Sequence, residues 1–120
     1  MPREIDERAF QLGLSVITLR RDGDFQRIVR WRVISQLVNA ATSIGANLSE
    51  ASAAQTKPDF VAKVSIAKKE AFETQFWLRL VDEARLLGDL DLAGVRAEAA
   101  EVGRVVSAIA RRAKMSSGRG

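Results

Sequence analysis

The chain reads as an all-α protein, an antiparallel up-down-up-down four-helix bundle, and three features carry that reading. Apolar residues recur at alternating steps of four and three along four separate runs, the spacing of one helix face. Tyr is absent and Pro occurs only twice, while Ala and Leu are plentiful, a helix-favouring composition. The breaks between runs are short, so consecutive helices pack side by side in opposite directions.

The first helix is expected over Glu4–Arg20. Ile5, Ala9, Leu12, Val16 and Leu19 form its main stripe, and Phe10, Leu14 and Ile17 a second one. "RRDGDF" then breaks the pattern at Gly23. The second helix is expected over Gln26–Ser52, with Ile34, Leu37, Ala41, Ile44 and Leu48 as its stripe, Val38 alongside and Trp31 just ahead. Gly45 interrupts it, at a cost of about 1 kcal/mol relative to Ala, and points to a close helix approach.

The third helix is expected over Pro58–Leu87. Thr56 or Lys57 can cap it, Pro58 suits its first turn, and Asp59 complements its dipole. Phe60, Val64, Ala67, Ala71, Thr74, Leu78 and Val81 hold the four-three repeat, while Phe72, Phe76 and Leu80 occupy another face with Trp77 nearby. A helix of a small monomeric bundle needs one apolar face, and this one has nearly two. Gly88 is the expected stop and Asp91 the next cap. The fourth helix is expected over Leu92–Lys114, on Leu92, Val95, Ala99, Val102, Val106, Ile109 and Ala113. The four-three repeat implies left-handed packing near +20°. One domain is expected over 1–115, with a flexible tail over 116–120, "SSGRG".

At 120 residues and 47% hydrophobic, the chain can bury one core. It has no Cys, which removes disulfides and thiolate chemistry, and no His, which removes the commonest general base and metal ligand. No apolar run approaches the roughly 18 residues of a membrane span, and "MPREIDERAF" lacks the apolar core of a signal peptide. The expectation is a cytoplasmic protein with no membrane partner.

The net charge is +4, from 19 basic and 15 acidic residues, and it is unevenly placed. Phe25–Ser49 holds Arg27, Arg30 and Arg32 with no acid. Gly103–Gly120 holds Arg104, Arg111, Arg112, Lys114 and Arg119 with no acid. Such zones attract polyanions, though a solvated helix surface has the same composition. In an antiparallel bundle, Arg20 and Arg21 at the end of the first helix meet Arg27 and Arg30 at the start of the second. Asp22 and Asp24 partly neutralise that patch.

Candidates for catalysis are weak. Glu70 and Glu73 are three apart on the third helix, and Glu50 ends the second. Di-iron bundles also need Glu-x-x-His motifs, which a chain without His cannot supply. Neither a metal nor another cofactor is expected. Lys69 and Glu73 make an i,i+4 pair, and Glu70 and Glu73 flank Trp77, where a carboxylate needs a donor from another helix. Ser65 and Lys68 share the Ser-x-x-Lys spacing, but mid-helix, with no Gly-rich elbow or oxyanion loop. No phosphate-cradling loop occurs. The expectation is a protein that is not an enzyme. Asn47, at the rim of the core stripe, reads as a structural pin to the third helix or to another subunit, since an amide donates and accepts at once.

"SIGANLSEA", Ser43–Ala51, resembles the Ser-Ile-x-x-Asn-Ile-x-Glu-Gly signature of the four-helix-bundle 23S rRNA-intervening-sequence family. "DFVAKVSIAKKEAFETQFWLRLVDEARLLGDL" resembles that family's third helix, on Phe60, Ile66, Ala67, Glu73 and Leu78. The likeness covers Gln36–Leu90 by motif. Two positions depart: Val38-Asn39 stand where the family often has Arg-Arg, and Ala51 replaces the signature glycine. The resemblance implies a homopentamer, as in the related accessory variability proteins of diversity-generating retroelements, which bind nucleic acid and a reverse transcriptase through a basic surface.

Two functions follow as expectations. One is a homo-oligomeric, non-enzymatic scaffold engaging DNA or RNA, or a nucleic-acid-bound partner such as a reverse transcriptase or another neighbour-encoded protein, through Arg20, Arg21, Arg27 and Arg30. The other is a purely structural protein–protein module using Phe72, Phe76 and Trp77, with Asn47, Glu50, Glu70 and Glu73 at its interfaces. Against the first stands a lack of exposed aromatics for base stacking, because Trp31, Trp77 and the phenylalanines read as core.

Overall fold

A computed structural model describes residues 3–119, with side chains through residue 116. Four helices form it: α1 (Glu4–Ile17), α2 (Gly23–Ser52), α3 (Lys57–Glu83) and α4 (Ala93–Arg119), with no strand among the described residues. The 30 residues of α2, at about 1.5 Å each, account for most of the 55 Å long axis of the molecule. None of the helices described is long and apolar enough to cross a membrane.

The helix ends follow local chemistry. Thr56 caps α3 by accepting from the Asp59 backbone N–H at 3.2 Å, with Pro58 in the first turn. Asp91 accepts from Ala93 N–H at 2.9 Å and opens α4. α3 stops earlier than expected. Arg85 adopts φ +54°, and two hydrogen bonds close the end: Leu86 N–H to Val81 O at 3.0 Å and Arg85 N–H to Asp82 O at 3.1 Å. This is a Schellman closure, with Leu86 buried where the motif places its apolar contact. Gly88, the expected stop, lies in the connection beyond, also at positive φ. α1 ends at Ile17 rather than Arg20, where Thr18 turns its hydroxyl onto Leu14 O at 2.7 Å. α4 runs to Arg119, past the expected end at Lys114. The tail proposed from residue 116 lies mostly outside the residues whose side chains are described.

α3 is the centre. From Val33 to Ile44 to Ala51 along α2, the α3 residues in the same core clusters step back from Val81 to Ala71 to Val64, so the two helices are antiparallel. α4 does the same: Val106 lies with Ala71 and Ala110 with Val64, while Leu92, just ahead of α4, lies with Leu86 of the connection. α1 packs at the C-terminal half of α3, through Phe10 against Leu80 and Phe76, in a cluster that also holds Val29 and Val33 of α2. The expected α3 stripe is buried throughout except Phe60, which is half-buried. The second apolar face of α3 is partly accounted for by α1.

Three expectations fail in whole or in part. In α1 the stripes are exchanged: Phe10 is buried with Leu14 and Ile17 packed beside it, while Ile5, Leu12 and Leu19 stand 60%, 67% and 72% exposed. In α2 the expected stripe holds in part: Ile44 is buried and Ile34, Leu37 and Leu48 pack half-buried on the core, but Ala41 faces solvent and Gln26, Val29, Val33, Ala40 and Ala51 complete the buried face. Gly45 is exposed, and a Cβ there would meet nothing within 4 Å. The close approach is at Gly103 of α4, where a Cβ would come within 2.5 Å of Gln75 Nε2, a side-chain end that can move aside.

Candidate nucleic-acid interface

The register of α2 decides what its outer face displays. Val29 and Val33 are buried, and Trp31 is two residues from each, which on a helix turns it about 200° away. Trp31 is therefore 67% exposed, correcting the expectation that it is core. Ile28 and Val38 are exposed on the same side. Arg27, Arg30 and Arg32 surround the indole. Arg27 pairs with Asp24, whereas Arg30 and Arg32 form no ion pair among the described residues. Two shallow hollows of about 580 and 600 Å³ share Trp31 and Arg27: one runs over Arg30, Ser35 and Asn39, the other over Ile28 and Arg32. Val38 and Asn39, at the positions of the family's arginine pair, line the first hollow. The spacing of Val29 and Val33 was the signal that could have placed Trp31 outside.

The four arginines proposed for nucleic acid are not equivalent. Arg20 lies 3.3 Å from Asp22, both exposed. Arg21 turns inward and donates from Nη1 to Ala84 O at 2.9 Å, closing the last turn of α3. Arg27 is held by Asp24, and Arg30 is exposed beside Trp31. The basic character available to a ligand thus centres on Arg30 and Arg32, and Arg32 was not among the chosen four.

The remaining candidates are dispersed. Asn47 does not reach α3: its Nδ2 donates within α2 to Ser43 O at 2.9 Å and to Ser43 Oγ at 3.0 Å. Glu50 ties α2 to α3 through Lys63 Nζ at 2.8 Å, and this raises the lysine pKa. Glu70 and Glu73 lie together, and partial burial followed by repulsion from Glu73 pushes the Glu70 carboxyl up. No donor from another helix reaches either of them among the described residues, and Lys69 forms no ion pair with Glu73. Among the described residues, no three Asp or Glu side chains gather as a cation site would require. Phe76 meets Phe10 edge-on at 5.7 Å and Trp77 at 5.1 Å. Phe72 is 54% exposed, and Trp77 is half-buried with its indole N–H unpartnered. Beside them a cleft of about 890 Å³ opens between α1 and α4, over Phe72, Phe76 and Arg96.

These features define an all-α four-helix protein with a basic, tryptophan-bearing outer face on α2. The family model described as 23S rRNA-intervening sequence protein matches residues 3–108, from the start of α1 to well within α4, and the chain belongs to that family. No curated protein and no solved structure matches it.

Proposed function

We propose that this protein is a non-enzymatic homo-oligomeric scaffold, assembled as a pentamer, that engages nucleic acid or a nucleic-acid-bound partner through its basic surface. The observation that carries the reading is the outward stripe of α1. Ile5, Leu12 and Val16 are exposed at four-three spacing, with Ala9 between them, and Leu19 just past the helix end is exposed too. This is the pattern of a seam that packs on another helix. Leaving such side chains wet forgoes roughly 1.5–3 kcal/mol each. The pentameric number comes from the family resemblance. The non-enzymatic part rests on a composition without His or Cys. The nucleic-acid part rests on Arg27, Arg30 and Arg32 around an open face.

Light scattering tests the assembly. The wild-type mass should be a multiple of the 13.2 kDa protomer, and a Leu12→Glu/Val16→Glu variant should fall toward 13.2 kDa. A wild-type mass of one protomer at micromolar concentration overturns the scaffold.

A second reading is a protein–protein module with no nucleic-acid role. It is favoured by the apolar groove of about 580 Å³ between α2 and α4, lined by Leu37, Ala41, Leu48, Val95 and Val102. It takes over if no oligonucleotide binds at low ionic strength.

A further inference from the structure

We propose that Trp31 is a base-stacking platform, and that the α2 face formed by Arg30, Trp31 and Arg32 binds single-stranded nucleic acid. The inference rests on the nucleic-acid reading above and deepens it by assigning the strand type and the residue. A tryptophan left two-thirds exposed on a helix turn whose Val29 and Val33 lie in the core is an aromatic plane open to solvent on an anchored backbone. It needs a flat apolar partner, and an unpaired base offers one. Its surroundings select for an anion. Arg30 and Arg32 flank it in sequence with no ion pair among the described residues, and the one nearby acid, Asp24, is engaged by Arg27.

The two hollows on either side of the indole continue the surface along the helix, so a strand whose base rests on Trp31 has arginines on each side for its phosphates. A duplex keeps its bases stacked on one another and offers no free face to the indole. A copy docked on this face by two-fold symmetry would set arginine against arginine, which is costly, and a contact between unlike faces of a ring is read out by the mass of the Trp31→Ala variant below. The face offers an aromatic plane and guanidinium groups, with Asn39 as the one amide lining its hollows, so the binding is largely tolerant of sequence and steeply salt-dependent.

Fluorescence anisotropy with a labelled oligo(dT) of about 15 nucleotides, long enough for one such site, and with a duplex of the same length tests this at low salt. The single strand should bind more tightly than the duplex. Trp31→Ala should weaken single-strand binding about 5- to 100-fold, Trp31→Phe less, and Arg30→Glu should weaken both forms. Wild-type tryptophan emission should be quenched on binding, and Trp31→Phe, which retains Trp77 alone, should show no quench. If the wild type binds and Trp31→Ala binds equally well, or the duplex is preferred, this inference falls while the broader reading stands. If neither nucleic acid binds the wild type, both fall. If Trp31→Ala changes the mass in light scattering, the face is a contact between copies and the inference is overturned.

Discussion

Arg79 grips Glu7 with both arms of its guanidinium, Nη1 to Oε1 at 2.8 Å and Nη2 to Oε2 at 2.7 Å, and so joins α1 to α3 across the chain. Its Nε donates to Glu83 at 2.7 Å, and its plane lies 3.7 Å over the centroid of the Phe10 ring. The anchor of α1 is thus one buried ring covered by one arginine with two carboxylate partners. Arg79 is accordingly held above the usual arginine range by Glu7 and then Glu83.

This pair has a pH signature. The Arg79 hydrogen bonds, then that from Gln11, pull the Glu7 carboxyl from 4.5 down to about 2. A depressed acid contributes stability that is complete above its unfolded value and is lost as pH falls through the folded one. Glu7→Gln should lower the melting temperature at neutral pH, and the gap to wild type should close between about 4.5 and about 2. Melting curves across that range check it, and a constant gap refutes it. Glu70 has the opposite sign because its carboxyl is pushed up. Glu70→Gln should stabilise at neutral pH and lose that advantage as acid protonates the wild-type group.

Arg85 occupies the left-handed position of the α3 closure, at φ +54°, where glycine carries no Cβ penalty. Its ion pair with Asp89 is exposed and contributes little. Arg85→Gly should raise stability by about 0.5–1 kcal/mol in urea denaturation. A loss would show that the pair outweighs the strain.

Arg21 acts first as a helix closure, since its Nη1 donates to Ala84 O. Arg21→Ala should cost about 0.5–1.5 kcal/mol of stability, with oligonucleotide affinity changed far less than by Arg30→Glu. The reverse ranking would place Arg21 in the interface.

Asn47→Ala should cost no more than about 1 kcal/mol, because the amide bonds within its own helix, and Ala, a better helix former, offsets part of the loss. A drop above 2 kcal/mol, on the order of a stranded buried polar group, accompanied by a smaller assembly, would mean that Asn47 pins two copies together.

The sequence made the number, order and approximate ends of the helices legible, because each depends on local periodicity and local caps. Thr56, Pro58 and Asp91 act where their chemistry says they should. It also made the α3 core stripe legible, because a helix surrounded by its neighbours buries its main stripe whichever way they lean. Rotation of the outer helices was not legible. α1 carries two apolar stripes of similar strength, and only the location of Phe76 and Arg79 on α3 decides which one turns inward. The same ambiguity hid Trp31: Val29-Val33 and Ile34-Leu37 are both helical spacings, and a shift of about one residue between them moves the indole from core to surface. Arg85 went unseen because glycine is the usual signal for a left-handed closure, and the nearest glycine is three residues further on, at Gly88.

The slender attachment of α1 divides the molecule into parts of unequal permanence. α2 and α3 share three clusters and α4 joins two of them, whereas α1 contributes to one through a single fully buried ring. Its 14 residues are too few to persist as a helix once detached. Amide protons of α1 should therefore exchange with solvent through a sub-global opening that leaves the other three helices protected. Each opening bares Phe76 and Leu80, and a neighbouring copy's α1 is chemically identical to the one that left. If copies meet through the outer stripe of α1, as proposed, the same element is the one they could most readily exchange.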